Sequence, residues 1–237
     1  PALMGHVKDK GWDKIYVQHI ADEPVNENAM NYNDMVKFVR KIVPEIKLID
    51  AIHTTKTDRL DIWVPQLNYS NTDKPFFMDR IKDGDEVWIY TCLSPKGEYP
   101  NRFLELPLIK TRLIHWLNYK YGFTGYLHWG WNYWITAATN AGNNPMEEGS
   151  GMMDGSMLPG GDSWIVYPYK GKILSSIRLE AMRDGIADYE LLKMLEAKDP
   201  AKAKEMCAKA AMDFTLFNMD IPSFRKTRTE ILNLLSK

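Results

Sequence analysis

Short β-rich runs alternate with helically periodic stretches along most of this 237-residue chain, and that alternation confines it to the α/β folds built on parallel sheet. Residues 15–20 read as a strand ending at Ala21-Asp22-Glu23-Pro24. Residues 31–43 follow as a helix with Met35, Phe38, Val39 and Ile42 at helical spacing. Residues 48–52 are a second strand, 62–69 a third with a short helix near 74–81 behind it, and 86–93 a fourth. A helix over 106–121 lines up Leu106, Ile109, Leu113, Trp116 and Leu117, with Pro107 in its first turn and Gly122 as its stop. The fifth strand, 125–134, is unusually aromatic. It opens into a loop over 135–173 that is too long for a plain connection in a compact domain. Ser175 and Ser176 then precede a helix whose Ile177, Ala181, Ile186, Tyr189, Leu192 and Leu195 make an apolar face, and further helical patterns cover 201–217 and 223–235.

No glycine-rich phosphate loop follows any strand, which argues against a dinucleotide-binding sheet. Polar and aromatic residues gather at strand C-terminal ends instead, at Asp22 and Glu23, His53, Asn68 and Tyr69, Thr91, and residues 129–134. A (β/α)8 barrel of the TIM type builds its active site there. Five strands fit strands four to eight of such a barrel, so residues 1–237 are expected to be the C-terminal part of one barrel domain, with C-terminal helices over 200–237. Five strands leave two open edges. The missing N-terminal strands are therefore expected from another polypeptide or from self-association.

Lys and Arg number 30 against 31 Asp and Glu, so no charge excess calls for nucleic acid or an anionic membrane surface. Cys92 and Cys207 lie far apart, outside any metal-ligand spacing, and read as two buried free thiols; neither a metal nor another cofactor is expected. No apolar run is long enough to insert in a bilayer. The start at Pro1 reads as a processed or cut terminus, which leaves the compartment open.

Cleaving a glycosidic bond needs a proton donor on the leaving oxygen and charge stabilisation at the anomeric centre. Asp22-Glu23-Pro24 at a strand end offers two carboxyls for this, although an Asp cap followed by Pro also begins many ordinary helices. A conventional retaining glycosidase places its second carboxyl on another strand. The runs Trp88-Ile89-Tyr90-Thr91-Cys92 and His128-Trp129-Gly130-Trp131-Asn132 carry no acid. Two neighbouring carboxylates suit a mechanism in which the substrate's own 2-acetamido oxygen is the nucleophile.

The runs Glu86-Val87-Trp88-Ile89-Tyr90-Thr91-Cys92 and Gly125-Tyr126-Leu127-His128-Trp129-Gly130-Trp131-Asn132 carry a family likeness. So do Gly161-Asp162-Ser163-Trp164-Ile165-Val166-Tyr167-Pro168 and the long stretch from Ser175-Ser176-Ile177-Arg178 to Asp188-Tyr189-Glu190. Together they resemble the catalytic domain of glycoside hydrolase family 123, with the likeness running to about Leu195. The resemblance implies a barrel-fold β-N-acetylgalactosaminidase that retains configuration through an oxazolinium intermediate. Asp22 would then hold the acetamido N–H and steady the oxazolinium, while Glu23 serves as general acid and later as base. It also implies a bacterial periplasmic or secreted setting.

Other candidates each have a structural alternative. Trp129 and Trp131 share one face of an alternating strand and suit stacking on a sugar, or else burial in the barrel. Tyr90 is a candidate donor to the acetamido oxygen, or a core tyrosine. Asn68 or Tyr69 would bind substrate from a strand end, unless they are turn and packing residues. Asp162 would accept from sugar hydroxyls, or simply make a turn beside Gly160-Gly161. His53 and His128 read as structural, and Arg178, Glu180, Arg183, Asp184 and Asp188 as salt-bridged scaffold. The expected partner is a glycan. A glycosidase acting on sugars without the acetamido group and a noncatalytic carbohydrate-binding barrel remain the competing functions.

Overall fold

Upstream of Tyr90 the Ile- and Val-rich runs form parallel strands, because continuous apolar stretches are stable only when both sheet faces are covered. The computed structural model describes residues 2–140 and 144–236, which gather into two units, one ending at Tyr90 and one beginning at Thr91. The first unit has helices α1 (Ala2–Asp9) and α2 (Ala29–Ile42), strands β1 (Ile49–Ile52) and β2 (Ile62–Pro65), helices α3 (Leu67–Thr72) and α4 (Lys74–Lys82), and strand β3 (Glu86–Tyr90). β1 pairs with β2 from Ile49 opposite Ile62 to Ile52 opposite Pro65, and β2 pairs with β3, both in parallel. Every residue of β1 and β2 is buried. Leu48, Ile52, Leu60, Val64, Leu67, Phe77, Val87 and Ile89 build the core around them.

Three expectations for this unit are corrected. Residues 15–20 form no strand; Gln18 makes only an isolated parallel bridge to Leu48, and the Asp50 carboxylate on β1 takes the backbone N–H groups of Ile20 and Ala21 instead of a ladder. α2 does not bury Met35, Phe38 and Ile42, which are exposed. It turns Ala29, Tyr32 and Val36 inward, and the Tyr32 hydroxyl donates to buried Asp50. Third, the strand expected over 62–69 stops at Pro65, which has no N–H for a ladder, so Asn68 and Tyr69 sit on α3.

The second unit holds α5 (Ile109–Tyr121), a short strand β4 (Gly125–Leu127), α6 (Ala137–Asn140), hairpins β5 (Met152–Met153) with β6 (Ser156–Met157) and β7 (Tyr167–Tyr169) with β8 (Lys172–Leu174), then α7 (Ile177–Lys198), α8 (Pro200–Ala210), hairpin β9 (Ala211–Asp213) with β10 (Leu216–Phe217), and α9 (Ile221–Leu235). The caps follow the sequence. Gly122 closes α5 with φ of 74°, and the Ser176, Asp199 and Asp220 side chains each accept a first-turn N–H of α7, α8 and α9. The expected strand over 125–134 ends at Leu127. Beyond it Tyr133 N–H donates to Ser163, Ile165 N–H donates to Trp131, and Asn132 bridges Trp164 antiparallel. The helix expected over 201–217 ends at Ala210, and its tail becomes the β9–β10 hairpin.

The charged set on α7 does more than pair along its own helix. Glu180 and Arg183 form such a surface pair, but buried Asp188 accepts from Arg112 and Trp116 on α5 and from Arg228 on α9 at 2.6–3.1 Å. Buried Arg178 donates to the carbonyls of Arg102, Gly161 and Trp164 at 2.6–2.8 Å, locking the loop before α7. Cys207 is buried while Cys92 is only half-buried, and the two are not joined in a disulfide. Among the described residues the parallel strands form an open sheet, and the expected eight-strand barrel is not closed.

Candidate active site

The Asp22-Glu23-Pro24 turn is fastened to β1 by two backbone hydrogen bonds, Glu23 N–H to Ala51 and His53 N–H to Pro24, both 3.1 Å. Just upstream, Asp50 Oδ1 accepts from Ile20 N–H at 2.9 Å and Ala21 N–H at 3.3 Å and lies against His19 Nδ1. Glu23 itself adopts φ of 45°, a left-handed conformation that costs a non-glycine residue about 1 kcal/mol or more and persists only where its surroundings enforce it. The carboxyl is thereby presented on a bent, tethered segment instead of a strand tip.

Side chains from the tips of three neighbouring strands gather here, two of them on the carboxyl itself and one on the phenol that donates to it. Tyr90, at the end of β3, donates its hydroxyl to Glu23 Oε1. His53, just past β1, brings Nε2 to the same phenol oxygen and to 3.4 Å from Glu23 Oε1. Gln66, just past β2, reaches the phenol with Nε2 at 3.4 Å. The His53 ring packs on Tyr69 of α3 with centroids 4.8 Å apart and stacks on Tyr90. These contacts act on Glu23: the His53 hydrogen bond holds its carboxyl below the usual range, helped by Tyr90 and opposed by burial. Asp22 is exposed to solvent. Asn68 lies on α3 with its Oδ1 buried and, among the described residues, without a hydrogen-bond partner.

Asp50 is the other informative acid of this unit. It is 1% exposed, and desolvation raises its pKa in spite of donors from Tyr32, Ile20, His19 and Ala21. Nothing in the sequence marked it, because an Asp inside a strand run has no motif. Its only signal was its place in the apolar run Ile49-Asp50-Ala51-Ile52, where an acid must find partners.

In the second unit Trp129 and Trp131 are exposed on the loop beyond β4, and Trp129 meets Tyr133 edge to face at 5.2 Å. Asp162 is fully buried and has no surface with which to meet a sugar, which corrects its expected direct contact. It accepts the Trp129 indole N–H at 3.2 Å and stands 3.3 Å from His128 Nε2 without good alignment. His128 Nδ1 receives Arg102 Nη2 at 2.6 Å and Gly130 N–H at 3.0 Å, so the ring proton belongs on Nε2. Burial pushes the His128 pKa down to about 4, leaving a neutral ring in the scaffold that orients Trp129.

Among the described residues no group of three or more His, Cys, Asp or Glu is placed to hold a metal ion, and no helix is long and apolar enough to cross a membrane. The assembled chemistry is an ionised Glu with a phenol and an imidazole on it, beside an exposed Asp. Within one unit the fold thus brings together Glu23, Tyr90, His53 and Tyr69, and in the other Trp129 and Asp162. Sequence reasoning took His53 for scaffold, since a lone histidine after a strand carries no pattern.

Residues 1–195 match the family described as glycoside hydrolase 123, catalytic domain. A solved structure, reported as the structural analysis of a family 123 glycoside hydrolase from Clostridium perfringens and concerned with glycolipid glycan hydrolysis, superposes with a TM-score of 0.71 at 20% identity. The superposition covers 99% of this chain and 44% of that one, so the chain spans less than half the length of that structure. A search of curated proteins finds no match.

Proposed function

Because this chain belongs to the glycoside hydrolase 123 family by the match over residues 1–195, we propose that it cleaves terminal β-linked N-acetylgalactosamine, or a related N-acetylhexosamine, from glycans. On this reading residues 1–237 supply the C-terminal part of a (β/α)8 catalytic domain. The glycolipid glycan named for the Clostridium perfringens enzyme is a candidate natural substrate.

The observation that carries the proposal is the adjacent pair Asp22-Glu23, with Glu23 oriented by Tyr90 and His53. In the first step Glu23 gives its proton to the leaving oxygen while the substrate's acetamido oxygen bonds to the anomeric carbon and the glycosidic bond breaks. Asp22 accepts the acetamido N–H and offsets the positive charge of the oxazolinium ring. Glu23, now a carboxylate, takes a proton from water as that water attacks the anomeric carbon and reopens the ring, with net retention. Asn68, Tyr69 and Tyr90 contact the sugar. In the second unit Trp129, held by Asp162, and Trp131 carry exposed indole faces of the kind that stack on the C–H side of a sugar.

Hydrolysis of 4-nitrophenyl β-N-acetylgalactosaminide tests this. Glu23→Gln should abolish turnover, and Asp22→Asn should lower kcat by about 10²–10³, the loss seen when one group that stabilises developing charge is removed. Equal turnover of the 2-hydroxy analogue would overturn substrate assistance in favour of a conventional glycosidase. Glycan binding without turnover of any glycoside would leave a binding module.

A further inference from the structure

The contacts around Glu23 do more than orient it. Tyr90 has a single phenolic proton, and an ionised carboxylate can only accept, so that proton is committed to Glu23. The phenol oxygen is left to accept, from His53 Nε2 and from Gln66 Nε2 at 3.4 Å. His53 stands at the hub: its backbone N–H is tied to Pro24, its ring is packed between Tyr69 and Tyr90, and its Nε2 is 3.4 Å from Glu23 Oε1.

We propose that His53 is a positioning residue of this site: directly and through Tyr90 it fixes the Glu23 carboxyl in the free enzyme, and protonation of Glu23 releases the Tyr90 hydroxyl to the substrate. The proposal rests on the reading of Glu23 as the general acid. Two jobs compete for one proton. While Glu23 is ionised, Tyr90 donates to it and has nothing to give a ligand. Once Glu23 takes up a proton it no longer requires that donor, and the phenol, still held by His53 and Gln66, turns its O–H to an entering acceptor oxygen such as an acetamido carbonyl. The acid and the substrate-binding donor therefore become available in the same step, and an empty site keeps both withheld. The groups that face Glu23 are consistent with this assignment. Asp22 precedes it on the same turn and is solvated, His53 and Gln66 follow β1 and β2, Tyr69 comes from α3 and Tyr90 from β3, so His53 is the member of this set that reaches both the Glu23 carboxyl and the Tyr90 hydroxyl.

The experiment is a carbon-NMR titration of the whole chain with labelled glutamate carboxyls, the Glu23 signal assigned by its loss in Glu23→Gln. In parallel, kcat/KM is measured against pH on 4-nitrophenyl β-N-acetylgalactosaminide. His53→Phe should raise the Glu23 midpoint and move the alkaline limb of kcat/KM to higher pH by the same amount, because the acid then keeps its proton longer. His53→Gln, whose amide can still donate to the phenol, should restore most of the wild-type midpoint, and it serves as the probe should the phenylalanine variant fail to fold. A purely structural His53 would lower the folded fraction without moving either quantity. An unchanged Glu23 midpoint in a folded His53 variant overturns the proposal. A shifted midpoint in a protein that hydrolyses no N-acetylhexosaminide upholds the bridge and overturns the functional reading instead.

Discussion

Asp50 offers the sharpest test of how the acid pair is held. Replacing it with alanine strips the acceptor from three donors, the N–H groups of Ile20 and Ala21 and the Tyr32 hydroxyl, and leaves His19 without its carboxylate. An orphaned buried donor costs about 1–3 kcal/mol. Ala21 is exposed and Ile20 half-buried, so water satisfies part of that loss, whereas Tyr32 is 4% exposed and is not rescued. The expected sum for Asp50→Ala is about 3 kcal/mol. Asparagine has the same shape: its oxygen can face the two amides and its nitrogen can donate to the Tyr32 oxygen. It also removes a charge whose burial outweighs its hydrogen bonds, as the raised Asp50 pKa shows. Asp50→Asn should therefore lie within about 1 kcal/mol of wild type at neutral pH. The pH dependence has a definite sign. A carboxyl whose pKa is raised in the fold contributes its full stability below the unfolded value of about 3.9, and that contribution is lost as pH rises through the folded pKa. Wild type should lose ground to Asp50→Asn between acid and neutral pH. Urea unfolding followed by circular dichroism at several pH values measures both effects. An alanine variant within about 1 kcal/mol of wild type, or an asparagine variant as damaged as alanine at neutral pH, refutes the reasoning.

Two further perturbations probe the second unit. Asp188→Ala leaves Arg112 and Arg228 without their shared carboxylate, and because both arginines are partly solvated the loss should fall near the low end for a broken buried pair, about 3 kcal/mol, read as a lower urea midpoint. Gly130→Ala would place a Cβ 2.6 Å from the Asp162 carbonyl oxygen and 2.8 Å from Ser163 backbone atoms, none of which can swing aside. It should destabilise by about 1–3 kcal/mol and shift the emission of the neighbouring Trp129, checked by denaturation and fluorescence together.

Much of this protein was legible in its sequence because the signals were local. Gly122, Ser176, Asp199 and Asp220 mark helix ends through backbone geometry and capping that depend on a few adjacent residues. The parallel strands announce themselves as short apolar runs, and Asp22-Glu23 stand side by side in the chain, so their proximity required no folding at all. The longer aromatic and α7 motifs carried the family resemblance for the same reason.

What the tertiary structure decided are the choices among local alternatives of similar free energy. α2 has two apolar stripes, and the one carrying Tyr32 went inward because its hydroxyl found Asp50 on β1. Residues 15–20 have strand propensity, yet Asp50 takes the Ile20 amide and that of Ala21 beyond it, and pairing goes no further than the Gln18–Leu48 bridge. The setting of Glu23 belongs to the fold alone: its partners His53 and Tyr90, and Gln66 on the Tyr90 hydroxyl, follow or end three different strands, and Tyr90 is 67 residues away. Parallel pairing aligns those strand ends, and only then do a phenol and an imidazole reach one carboxyl. A pKa is set by such contacts at a few ångströms, and no spacing along the chain encodes them.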